Sequence, residues 1–220
     1  ANGGNTLTLR RCVISNNTSN STGAGLLFQN NGVGVLTIDQ CSFVNNVTTG
    51  GTGGAGIESG AHSTIISNST FSGNHSDSSG GALRSSGSGV AMTLINCTFV
   101  GNTAVNTGGG AIRVLPGVGN TVSMFNCTVT GNRTESGSGG GINLASGVRL
   151  TLVNSIVAQN YLGSSPSTTP NDVSSNTIQA GSVNNLIGAD TGLTGLTHGT
   201  DGNIIGTSAA PIDPLLGPLA

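Results

Sequence analysis

The sequence predicts an all-β chain wound into a parallel β-solenoid of about 28–30 residues per turn. Three observations predict it: an internal repeat of that length, strand-period alternation inside each repeat, and Gly-rich connections with no helical pattern.

The repeat comes first. Six segments align without gaps: LTLRRCVISNN (7–17), LTIDQCSFVNN (36–46), TIISNSTFSGN (64–74), MTLINCTFVGN (92–102), VSMFNCTVTGN (122–132) and LTLVNSIVAQN (150–160). Their starts advance by 29, 28, 28, 30 and 28 residues. The last position is always Asn: Asn17, Asn46, Asn74, Asn102, Asn132 and Asn160. The sixth position is Cys or Ser, with Cys12, Cys41, Cys97 and Cys127 interrupted by Ser69 and followed by Ser155. The eighth is apolar throughout and includes Phe43, Phe71 and Phe99.

Within one unit, Met92 and Leu94 alternate with Thr93 and Ile95, which is the period of a half-buried strand. The phase then slips, because Cys97 and Phe99 continue inward from an odd spacing; a bend near Ile95–Asn96 accounts for it. A small-small-small-apolar element follows in five copies: GAGL (23–26), GAGI (54–57), GGAL (80–83), GGAI (109–112) and GGGI (139–142). It predicts a third short strand in each unit. One copy, GTGGAGI (51–57), happens to match G-x-G-x-x-G, but the other copies lose that spacing and no helix pattern follows. It is a structural element, not a phosphate loop.

A unit of about three short strands cannot bury its apolar face alone, so stacked coils must supply the core. With strands about 4.8 Å apart, six turns make a column roughly 25–30 Å long. Identical residues then form ladders, with the Asn column satisfying buried polar groups and the Phe column filling the interior.

The F-x-x-N element (FVNN, FSGN, FVGN) with GGAI resembles the repeat of polymorphic outer-membrane proteins over residues 7–160. The ending NLIG…AAPIDPLLGPLA, within 171–220, is similar to large bacterial β-helix surface proteins with a C-terminal anchor. These resemblances imply a right-handed single-stranded parallel β-helix on a secreted or surface protein, often an adhesin or passenger. They name no ligand, and neither an autotransporter barrel nor a complete anchor sequence is expected within these residues.

Residues 1–160 are thus expected to form six regular turns, and 161–220 an irregular C-terminal part of the same domain. Residues 1–6 align with the Gly-rich turns before later strands, such as NNGVGV (30–35), so the chain starts inside a repeat. After Asn160 the register is expected to fail, with 171–206 forming one or two irregular turns. The Pro-containing end is expected to wrap an edge or lead onward, because Pro cannot continue a central strand. An uncovered solenoid end is a ready template for pairing. That leaves a segment of a longer chain or a subunit stacking end to end.

Composition narrows the chemistry. Charged residues are 6% with a net charge of −2, and all six cations are Arg, which excludes a basic stripe for nucleic acid. No apolar run reaches the length of a membrane span, so this segment is not expected to insert. Low charge and an Asn/Thr/Gly-rich surface suit an extracellular or cell-surface protein.

Candidate sites are few. The Cys column is expected to hold small packed thiols, since parallel Cβ vectors disfavour a disulfide between neighbouring turns. No C-x-x-C occurs, and His62, His75 and His198 share no column, so a metal centre is not expected. DTG (190–192) and DGN (201–203) have oxygen donors for calcium, although they are also ordinary turn chemistry. After the GGAI column, the positions Leu27, Glu58, Arg84, Arg113 and Asn143 are expected to face outward. There Glu58 would pair with Arg84, and Arg10 with Asp39, as solvated ion pairs under about 1 kcal/mol. Arg84 beside Arg113 would offer a contact for an anion or an acidic glycan.

The eight acids share no column on neighbouring turns, which argues against the paired carboxylates of a polysaccharide-active enzyme. The expected function is a non-enzymatic scaffold, adhesin-like or a stalk segment, with a self-assembling filament subunit and a glycan-active enzyme as alternatives. Its partners would be other copies, flanking parts of a larger surface protein, or host or environmental glycans. No cofactor is expected.

Overall fold

The computed structural model describes residues 4–29, 33–167, 169–174, 178–191 and 193–217. Residues 1–3, the first half of the turn at 30–35, the last residue of DTG and the final three residues therefore lie outside the described residues.

Every repeat contributes one strand to each of four parallel sheets, here A to D, and no helix occurs among the described residues. Sheet A stacks six five-residue strands, from Thr6–Arg10 to Arg149–Val153. Sheet B begins at Val13–Ser15, sheet C at Thr18–Ser19 and sheet D at Leu26–Phe28. The expected register holds throughout, for example Met92↔Val122 and Phe71↔Phe99. The unit has four strands where the sequence suggested three. The extra one, such as Thr103–Ala104 in sheet C, is only two residues long and too short to show a period.

Corners come from left-handed backbone. The expected bend sits at Asn96 (φ 52°), and the same position holds Arg11, Gln40, Asn68, Asn126 and Asn154 with φ of 49–54°. Asn tolerates this region better than most side chains because its short amide can bond locally. The corner asparagines also form an exposed ladder, in which Asn126 Nδ2 donates to Asn96 Oδ1 and Asn96 Nδ2 to Asn68 Oδ1.

Inside, Phe43, Phe71 and Phe99 are fully buried and stack at centroid distances of 5.0 and 4.8 Å, close to the strand spacing. The predicted Asn ladder runs the length of the coil. Asn102 donates from both N and Nδ2 to Asn132 Oδ1 at 2.9 Å, and its second Nδ2 hydrogen reaches Phe71 O at 3.0 Å. Asn74 repeats this toward Asn102, and Asn132 toward Asn160. Each buried amide side chain thereby satisfies groups of three successive turns.

The four cysteines are free, as expected, and fill a second ladder. Cys41 N donates to Ser69 Oγ at 3.0 Å and Cys127 N to Ser155 Oγ at 3.1 Å. Burial pushes the Cys41 thiol up, away from the reactive thiolate.

Beyond Asn160 the coil changes. Tyr161–Leu162 still pairs in parallel with Arg133–Thr134, but Thr169–Pro170 returns antiparallel to it. Sheet B continues by two strands, Leu186–Asp190 and Ile204–Thr207. The Pro-containing segment folds back across this end, with Ile212 N on Gly188 O at 2.8 Å.

Candidate functional site

From the second turn on, the column after the Gly-rich element is not solvated surface, whereas Leu27 in the first turn is exposed as expected. Glu58 is 3% exposed and the Arg84 side chain 14%. There the expectation failed because the Gly-rich loop folds back over the outer face of sheet D, as at Glu58 and Asn143. Gly54 N donates to Glu58 Oε2 at 2.9 Å, and a Cβ on Gly53 would sit 2.9 Å from the same oxygen. A side chain there would lift the loop off the carboxylate.

Arg84 Nη1 donates to Glu58 Oε1 at 2.6 Å, and Ser86 Oγ adds a bond to that oxygen at 3.3 Å. This is a shielded pair, in which removing one partner leaves the other charge poorly solvated. Glu58→Gln is expected to destabilise the chain by about 2 kcal/mol, measured by urea unfolding. Arg84→Met with Glu58→Gln together should recover most of that loss.

Arg113 stands differently. Among the described residues it has no carboxylate partner: its Nη1 donates to Asn143 Oδ1, while Asn143 Nδ2 is held by Ser138 O at 2.8 Å. Burial first, and then the neighbouring Arg84 charge, holds its pKa below the usual guanidinium value. The Nε atoms of both arginines are buried without a partner. Of the predicted anion pair, Arg84 is therefore taken by Glu58 and Arg113 carries the excess charge.

Arg10 and Asp39 do form the expected exposed pair, at 3.2 Å. Hydrogen bonds from Asn68 and Ser67, and then Arg10, hold the Asp39 carboxyl below its usual range. The two turn aspartates proposed for calcium act locally, with Asp190 Oδ1 accepting from Leu193 N at 2.6 Å and Asp201 in left-handed backbone (φ 50°). Among the described residues no group of three or more His, Cys, Asp or Glu gathers.

A second region escaped the sequence reading. Asp172, 1% exposed, ends the Asn ladder: its Oδ1 accepts from Asn160 N at 2.9 Å and Nδ2 at 2.8 Å, and its Oδ2 from Ala189 N at 2.7 Å. It also lines a cleft of about 260 Å³ with Asp213, Gln159, Tyr161, Pro170, Pro211 and Ile212. Two of the eight acids, Asp172 and Asp213, thus line one cleft although they share no column of the repeat. The antiparallel return at Thr169–Pro170 puts Asp172 twelve residues after Asn160 rather than a full turn later. No column count finds that. Asn185 and Asn203 were also missed, although NLIG and NIIG mark them; they extend the Cys/Ser ladder, with Ser155 N on Asn185 Oδ1 at 3.0 Å and Asn185 N on Asn203 Oδ1 at 3.1 Å.

Burial pushes the Asp172 carboxyl up to about 6, although three N–H donors favour its anion. The folded chain therefore holds this proton more tightly than the unfolded one. The stability it confers is fully present below about pH 3.8 and is lost as pH rises through about 6, some 3 kcal/mol in all. Denaturant unfolding at about pH 4 and about pH 7 should show that loss in the native chain relative to Asp172→Asn, which removes the titration.

Four in-register parallel sheets closing around stacked Asn, Cys/Ser and Phe ladders define a β-solenoid. The chain belongs to the right-handed β-helix family: the model described as right handed beta helix region matches residues 1–160. No curated protein and no solved structure matches the chain.

Proposed function

We propose that the chain is a non-enzymatic scaffold of an extracellular or cell-surface protein, an adhesin-like or stalk segment that presents its lateral faces to a partner. The observation that carries this reading is how the polar side chains are engaged. The Asn column, Glu58, Asp39 and Asp172 are all bonded to neighbouring turns. Arg113, the cation left without a carboxylate in the sheet D column, supplies the lateral contact, and its chemistry selects a carboxylate or sulfate of an acidic glycan.

A filament built end to end is less well supported. After the sixth turn sheet C closes with the antiparallel Thr169–Pro170. An incoming copy would meet a reversed strand there.

The test is an array of neutral and acidic glycans probed with the intact chain, with the same glycans followed by mass spectrometry. Retention of acidic glycans without cleavage, weakened at least about tenfold by Arg113→Gln, supports the reading. Depolymerisation of any glycan would replace it with a polysaccharide-active enzyme.

A further inference from the structure

We infer that the cleft between the last sheet C strands and the Pro-containing segment binds an amine-bearing sugar residue. This goes beyond the scaffold reading and does not depend on it, since the cleft lies apart from Arg113 and selects the opposite charge.

The walls and the charge point the same way. Tyr161 and Pro170 are paired across the antiparallel strands and form one wall. Pro211 and Ile212 form the other, fixed by the bond from Ile212 N to Gly188 O at 2.8 Å. The Tyr161 and proline rings, with the apolar Ile212 side chain, suit the apolar face of a pyranose ring. The Tyr161 ring is held from behind: the Arg133 guanidinium lies 5.3 Å from its centroid and donates at 2.7 Å to both Gly163 O and Ser167 O. At about 260 Å³ the cleft is smaller than an ordinary drug-sized pocket, and fits about one ring.

The polar groups fix the charge. Asp172 and Asp213 both line the cleft and no cation does. Asp213 is exposed, and its Oδ1 is positioned by Gln159 Nε2 at 2.9 Å and Leu215 N at 2.8 Å, leaving Oδ2 for a ligand. A protonated amine on Asp213, with hydroxyls on Gln159 and the Tyr161 hydroxyl, engages the polar side chains of the lining other than the buried Asp172. An acidic sugar would meet two carboxylates. A lysine side chain would satisfy the charge but leave the flat walls empty, so the sugar is favoured over a peptide.

Titration of the intact chain by nuclear magnetic resonance with a glucosamine trimer tests this. Expected are shifts at the amides of Gln159, Tyr161, Ile212 and Asp213, and tighter binding above about pH 6, where Asp172 ionises. Asp213→Asn, at an exposed site that should leave the fold intact, should weaken binding at least about tenfold, and N-acetylating the trimer should do the same. Arg113→Gln should leave it unchanged. The inference is overturned if the trimer shifts none of these amides, if Asp213→Asn binds as well as the native chain, or if tri-lysine or a galacturonate trimer binds equally tightly.

Discussion

Replacing Asn102 by Ala is expected to destabilise the chain by about 4 kcal/mol, although it deletes only a small polar side chain. Its Oδ1 accepts from Asn74 N and Nδ2 at 3.0 and 2.9 Å, and its Nδ2 donates to Phe71 O at 3.0 Å and Asn132 Oδ1 at 2.9 Å. Losing it removes the acceptor of both Asn74 donors and one donor to Phe71 O, while Asn132 Oδ1 keeps only the backbone N–H of residue 102, in a region closed to water, at about 1–3 kcal/mol for each group not re-satisfied. Asn96→Gly is the control, since Asn96 sits at an exposed corner with φ 52°, where Gly is equally at ease. It should cost under about 0.5 kcal/mol. Urea unfolding of both variants separates a ladder that holds the coil from one that merely fits inside it.

Phe71→Ala is expected to cost about 4 kcal/mol and to lower the melting temperature by about 10 °C. Phe71 lies between Phe43 and Phe99, nearly parallel to each, with interplanar angles of 4° and 7°. Removing the middle ring leaves a void walled by the outer two, because the hydrogen-bonded strands hold their spacing and prevent collapse. Phe71→Leu fills most of that space and should cost about 1.5 kcal/mol or less. Scanning calorimetry of the two variants checks the ratio.

How much of this was legible depended on whether a residue obeys the repeat. The Asn and Phe columns, the Cys/Ser column and the bend at Asn96 follow from a period and a phase, and the coil places them as the alignment does. The sheet C strands did not show, because two residues carry no alternation. The Glu58–Arg84 pair was legible as a pair but not as shielded, since its cover comes from loops whose path depends on Gly53 and Gly54 lying flat over it. Asp172 was not legible at all. Its ladder position depends on a strand reversal that the repeat does not encode, and the cleft exists only once the Pro-containing segment has folded back.

These contrasts share one physical account: the polar side chains of the repeat are internal struts that bind one turn to the next. Native-state amide exchange tests it most directly. The backbone N–H groups of Asn46, Asn74, Asn102 and Asn132 donate to side-chain oxygens of the next turn, not to a backbone ladder. These N–H groups are expected to exchange as slowly as the core amides of Phe71 and Leu94, through the same cooperative opening. Exchange at the rate of the exposed loop at Val118 would contradict it, leaving the Asn column as packing around a coil held by its strands alone.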